Sequence, residues 1–199
     1  MRLRSALLAI ALTGLTGTIA LAGLSGMGAN IHGNFFSFPK ANLESKPVTK
    51  ITAGSVKIDL QHTRLAALKQ QFGGTLQSDG DATWVCYFTD DTATWFISNA
   101  LGGQEFVMMV AIQATSSMPS DCEEPSAKFK VPVMDAPGLG ATTAELKEKF
   151  GFASGGSKVT YRNDRPGGYS DVARYLGYSM RGGKVVGLGV GETSIPTTH

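Results

Sequence analysis

Leu68-Lys69-Gln70-Gln71-Phe72-Gly73 returns 78 residues later as Leu146-Lys147-Glu148-Lys149-Phe150-Gly151. A Thr stands upstream of each copy (Thr63, Thr142), with a Leu three residues before it (Leu60, Leu139). Leu65, Leu68 and Phe72 recur at helical spacing, so 64–72 has one apolar face. Thr63 is the expected N-cap and Gly73-Gly74 the expected C-cap. In the second copy Thr142 and Glu145 have capping-box spacing, and Leu146 and Phe150 form the apolar face.

Each helix is only two to three turns long, so it must be held by packing on a flat partner. The residues that follow supply one. Thr83–Thr89, Thr94–Ser98 and Phe106–Gln113 are rich in aromatic and β-branched residues, with turns at Asp90-Asp91 and Leu101–Gln104. After the second helix come 157–162, 172–180 and 185–191, with turns at 163–168 and Arg181–Lys184. Val107, Val110 and Ile112 fall on Val185, Leu188 and Val190, again 78 residues apart, while the Gly-Gly before each strand is offset by 80. The fold class predicted is α+β: two tandem helix-plus-antiparallel-meander repeats, with the helices packed on one face of the sheet. The repeats span 55–113 and 133–192, joined by a loop over 114–132 and followed by a tail at 193–199. Val56-Lys57-Ile58 reads as a short strand. Residues 30–54 read as a linker, with Phe35, Phe36 and Phe38 but no regular period.

The chain has 199 residues, 42% of them hydrophobic, which is enough for a packed core. Arg2 and Arg4 account for its whole formal charge of +2, and the remainder carries 16 basic and 16 acidic residues. A near-neutral body argues against nucleic acid as a partner, since that binding needs a concentrated basic surface.

Residues 1–29 read as a signal peptide or an N-terminal anchor. Met1–Arg4 is a short basic region, Ala6–Ala22 is apolar apart from Thr and Gly, Ala20-Leu21-Ala22 is a cleavage pattern, and Ala29 is a second candidate. Residues 6–27 are also just long enough to span a bilayer if left uncleaved. Either reading places the body outside the cytoplasm, periplasmic or secreted. Cys86 and Cys122 are the only cysteines, and in an oxidising compartment one disulfide is the simplest use of them. It would close a loop of about 35 residues, worth roughly 3–4 kcal/mol in the chain-entropy account.

The second copy, Pro137-Gly-Leu-Gly-Ala-Thr-Thr-Ala-Glu-Leu-Lys-Glu-Lys-Phe-Gly151, carries Leu-x-x-Thr, then Leu, then Phe-Gly at a helix end before a meander. It resembles the opening of domains shared by the β-lactamase inhibitory protein family and the small outer-membrane lipoproteins of the BamE (SmpA/OmlA) type. The resemblance covers about residues 55–192, and the tandem arrangement is similar to that of the inhibitor. It implies helices over one sheet face and an exposed, concave, protein-binding opposite face. Two departures stand out: the inhibitor has a disulfide in each unit, whereas only the first unit here has cysteines to form one, and the lipoproteins have a lipid-site Cys that this chain lacks.

Strand alternation groups the aromatic residues. Trp84, Cys86 and Phe88 oppose Val85 and Tyr87; Trp95 and Ile97 oppose Phe96; Tyr161 stands with Val159; Tyr175 alternates with Arg174 and Leu176. Aromatic and Arg side chains are the usual chemistry of protein contact hot spots, so Trp84, Tyr87, Trp95, Tyr161, Arg174 and Tyr175 are the candidate binding residues. The competing role for each is core packing.

No catalytic or metal set stands out, and no cofactor is called for. His62 is the only His in the folded body and has no nucleophile elbow to serve. Asp79-Gly-Asp81 and Asp90-Asp91 fit turns rather than a calcium loop. Gly187-Leu-Gly-Val-Gly191 lies within a strand with no helix after it, unlike a phosphate loop. The function expected is that of a non-enzymatic exported protein that binds another envelope or secreted protein through its helix-free sheet face. The alternatives are an enzyme or small-ligand carrier with a pocket between helix and sheet, where polar groups would converge around His62, or an envelope scaffold held at the membrane by an uncleaved N-terminus.

Overall fold

The computed structural model describes residues 23–33, 41–153, 156–166 and 170–196. The basic and apolar leader, Ala20–Ala22, the three linker phenylalanines, the Gly167-Gly168 turn and the last three residues of the tail lie outside the described residues. In chain order the elements are α1 (Gly26–Gly33), β1 (Ala41–Asn42), β2 (Ile51–Ala53), β3 (Val56–Lys57), α2 (Leu65–Phe72), β4 (Gln77–Ser78), β5 (Ala82–Thr89), β6 (Thr92–Asn99), β7 (Met109–Ala114), β8 (Val133–Met134), α3 (Thr143–Phe150), β9 (Lys158–Arg165), β10 (Ser170–Arg181) and β11 (Lys184–Pro196).

Eight strands form one sheet in the order β1-β9-β10-β11-β7-β6-β5-β4, and β3-β2-β8 form a small second sheet. All neighbours are antiparallel except β1 on β9. The class is therefore α+β with mostly antiparallel strands. The two meanders meet at β7 and β11, where Val110 pairs with Val190, Ala111 with Gly189 and Ile112 with Leu188.

Helices α2 and α3 share a core on one face of this sheet. Leu65, Leu68, Phe72 and Leu146 are buried there with Val85, Phe96, Val110, Ile112, Leu176 and Leu188. The helix ends follow the sequence closely. Gly73 and Gly151 have φ of 83° and 74°, and their N–H groups bond to the carbonyls of Lys69 and Lys147. A side chain at either position would be strained in that region. Thr142 and Glu145 form the full capping box. At α2 the expected cap moves by one residue. Arg64 is the N-cap and makes no side-chain cap bond, since a guanidinium cannot accept from a helix N–H, while the Thr63 hydroxyl accepts from the Asp59 N–H instead.

Three expectations need correction. The helices do not all lie on one face: α1 packs on the opposite face, where Met27 and Ile31 are buried among Trp95, Met109 and Ala111. Residues 30–54 are not without regular structure, since α1 runs to Gly33 and β1 and β2 follow. The strands of the second meander are also longer than the turn signals implied. Segment 163–165 belongs to β9, and β11 runs to Pro196, through the first part of the expected tail. Pairing with a long neighbour supplies backbone partners that override local turn preference.

Phe72 packs edge-on to Tyr87 and Phe129, with ring centroids 6.0 and 5.3 Å away. Phe150, its counterpart in α3, lies 4.1 Å from the Tyr161 ring but is only half-buried. Phe72→Ala is expected to cost about 3–5 kcal/mol in urea unfolding. Phe150→Ala is expected to cost about 1–2 kcal/mol, in proportion to its smaller burial. Equal losses at the two positions would contradict this difference in packing.

Candidate functional site

Because side chains alternate along a strand, the pairing register sorts every sheet residue onto one of two faces. Val85, Tyr87, Phe96, Tyr161, Arg174 and Tyr178 project to the α2/α3 side; Trp84, Cys86, Trp95, Ala111, Gly189 and Tyr175 project to the α1 side. The six candidate binding residues are thus divided between opposite faces. Trp84, Tyr87, Trp95 and Tyr161 are fully buried, Tyr175 is 2% exposed and Arg174 is 9% exposed. They do not form a common exposed surface in this structure.

All but Trp84 have a structural task that the geometry makes plain. Tyr87 donates its hydroxyl to the Gly73 carbonyl at 2.9 Å, tying β5 to the end of α2. Tyr161 donates to the Phe152 carbonyl at 2.6 Å, just past the end of α3. Tyr178 donates to the Pro137 carbonyl at 3.0 Å. Burial raises the Tyr161 phenol to about 12; burial and then the nearby Glu123 charge raise the Tyr87 phenol too. The Tyr175 phenol is also near 12, mainly through burial, with Arg162 stacked 5.0 Å from its ring centroid.

On the α1 face, the disulfide between Cys86 and Cys122 holds the connecting loop against β5. It sets Asp121 beside Trp95, whose indole Nε1 donates to Asp121 Oδ2 at 2.9 Å. Ser25 reaches the same carboxylate through its N–H at 3.2 Å and its hydroxyl at 2.5 Å. The Met27 N–H donates to Gln113 Oε1 at 2.7 Å. Side chains of the body thus meet the N–H of Ser25, just before α1, and that of Met27, one of the first N–H groups that have no partner within the helix. Asp121 also puts negative charge at the favourable end of that helix.

The close fit depends on glycine. A Cβ on Gly28 would lie 2.8 Å from the Trp95 ring, and one on Gly189 would lie 2.3 Å from Ile31 Cγ1. The alternating glycines of 187–191 therefore make a smooth floor on the α1 face while Leu188 and Val190 enter the core on the other.

A buried polar cluster was not anticipated from the sequence. Arg174 Nε donates to Glu192 Oε2 at 2.7 Å and its Nη1 to the Val48 carbonyl at 2.8 Å. Lys46 Nζ lies 2.9 Å from Glu192 Oε2, and Gln61 Nε2 lies 3.1 Å from Oε1. The signal for it was the alternation that put Arg174 with Leu176, on the side that faces the helices.

One cavity of about 260 Å³ opens on the α2/α3 side at the joint between the meanders. Its floor is Ile112 and Leu188, paired across β7 and β11, and its walls are Val131, Val133, Met134 and Leu139. Val133 is 70% exposed at the rim.

The remaining sequence candidates have local roles. His62 Nδ1 lies 3.0 Å from the Leu60 carbonyl oxygen. The Asp79 carboxylate accepts from the N–H groups of Asp81 and Ala82, closing a turn. Asp90 and Asp91 turn the chain with φ of 50° and 53°. Among the described residues no three His, Cys, Asp or Glu stand together as metal ligands, and no helix is long and apolar enough to cross a membrane.

Comparison with known proteins found no matching family model, no matching curated protein and no matching solved structure.

The Glu192 cluster generates a pH prediction. Burial alone would raise its carboxyl, but the hydrogen bonds and charges of Arg174 and Lys46 hold it below the ordinary value. A depressed folded-state value contributes stability above the unfolded value near 4.3, lost as pH falls through the folded value. Glu192→Gln is expected to lower stability at pH 7 by about 3 kcal/mol, the low end for breaking a buried pair. It should also flatten the loss of stability below about pH 4.5. Urea midpoints across pH 3–7 measure both effects, and an unchanged acid slope would refute them.

Proposed function

We propose that this is an exported, non-enzymatic protein that binds another envelope or secreted protein, with its contact site at the cleft between the two meanders. The observation that carries this reading is the apolar cavity over Ile112 and Leu188, with Val133 standing exposed at its rim. Its volume of about 260 Å³ falls below the roughly 300–1,000 Å³ of most small-molecule sites. It suits one or two apolar side chains from a partner better than a substrate. Such anchor pockets, desolvated and ringed by neutral contacts, supply much of the energy of protein association. The small-ligand carrier is the second reading, favoured by the same cavity lying between the sheet and the segment that leads into α3.

The chain is, in this proposal, a duplicated helix–meander unit of the kind found in the β-lactamase inhibitory protein and the BamE-type lipoproteins. Three observations support it: α2 leads into β5-β6-β7, α3 leads into β9-β10-β11, and the 78-residue offset carries Ala111 onto Gly189, which is also its pairing partner. A two-fold axis through that pair would relate the two units. Export is supported by the basic and apolar leader and by the disulfide. The sheet face opposite α2 and α3 is covered at its centre by α1, so contact through Trp95 would require that helix to leave.

The test is capture from envelope extracts by chemical cross-linking, identification of the partner, and titration of the purified pair. Val133→Asp is expected to weaken the purified pair at least tenfold, about 1.4 kcal/mol, while leaving thermal stability within about 2 °C. Absence of any specific partner, with a fatty acid or other apolar small molecule copurifying instead, would replace this reading with the carrier.

A further inference from the structure

We infer that the exported chain is cleaved between Ala22 and Gly23, and that the new N-terminal segment remains seated on the sheet as part of the fold. The inference rests on the export reading above and goes beyond it by choosing the processing site. The sequence offers two sites, after Ala20-Leu21-Ala22 and after Ala29. Only the first is compatible with the packing of residues 24–31.

Cleavage after Ala29 would remove Ser25 and Met27. Asp121, which is fully buried, would then lose two of its three hydrogen-bond donors and keep only the Trp95 indole. A buried carboxylate left in that state is strongly disfavoured. Gln113 would lose the Met27 N–H. The Trp95 ring, now covered by Gly26 and Gly28, would face water, as would the glycine floor at Gly187, against which Met27 sits. The glycines of β11 have no side chains with which to cover the gap. Strand and helix are therefore cut to each other, and the cut makes sense only if residues 25–29 persist in the mature chain.

The same contacts bear on the uncleaved anchor. With Ser25 on Asp121 and Met27 buried against the sheet, a membrane span can extend no further than about residue 22. Ala6–Ala22 is then 17 residues, the lower limit for crossing a bilayer. The cleavage reaction itself is peptide hydrolysis by a membrane signal peptidase. Water adds across the Ala22–Gly23 bond, leaving a carboxylate on Ala22 and an ammonium group on Gly23. That cation appears two residues from Ser25, near a carboxylate that makes no ion pair among the described residues.

The experiment is export of the full chain in a bacterium with a general secretory pathway, followed by intact mass and N-terminal sequencing of the envelope protein. The expected N-terminus is Gly23, and Ala22→Leu should accumulate the precursor. An N-terminus at Asn30 would overturn the inference while leaving export intact. A protein that keeps Met1 would overturn the inference and favour the anchored scaffold. Retention of the segment is read separately by iodide quenching of tryptophan fluorescence. Gly189→Ala and Gly189→Val are expected to raise quenching at least twofold by lifting α1 from Trp95. Unchanged quenching in both variants, with native circular dichroism, would overturn the seating of the segment.

Discussion

Five residue pairs join β7 to β11, and through them two three-stranded meanders become one sheet. Without that joint each unit would have one short helix over three strands and an open edge. Small assemblies of this kind bury too little surface to hold together well. The joint lets Val110, Ile112, Leu188 and Val190 share one core with both helices. It also shapes two places where the halves meet, one on each face: the apolar cleft over Ile112 and Leu188, and the glycine floor under α1.

The faces of the sheet are finished differently. On the α2/α3 side, tyrosine hydroxyls tie the first strand of each meander to the carbonyl at the end of its helix, and Glu192 gathers Arg174, Lys46 and Gln61. On the α1 side, the disulfide positions Asp121, Asp121 receives Ser25, and α1 follows. The tyrosine ties link elements close in the chain, whereas the Glu192 links to Lys46 and Gln61 and the Asp121 link to Ser25 join residues 146, 131 and 96 positions apart. A segment held only by the second kind of link depends on the rest of the molecule being folded first.

Much of the fold was legible because its cues are local. The heptapeptide-scale helix pattern, the Thr142–Glu145 box, the glycine caps and the three-strand runs all act within a few residues. Helix α1 was not legible. Gly26-Met-Gly-Ala-Asn-Ile-His-Gly33 has three glycines and a low intrinsic preference for helix, and it is held by contacts with Trp95, Gln113 and Gly189. The candidate site failed for a related reason. Alternation showed which aromatic residues share a face, but both faces are covered, so Trp84 and Tyr87 are buried on opposite sides of one strand. Arg174 looked like surface chemistry because its partner, Glu192, is 18 positions away on the next strand.

The disulfide has a consequence for how this protein behaves among its own copies. The outer side of β5 is one end of a wide sheet, where free N–H and C=O groups invite another strand. β4 covers it only at Thr83 and Trp84. Further along, Glu123 takes over, accepting from the Phe88 N–H and donating to the Cys86 carbonyl. Glu123 is held there by its neighbour Cys122. The cross-link thus works as a hem on the fabric of the sheet, and a reduced chain would present a bare, aromatic-rich selvedge to the next molecule.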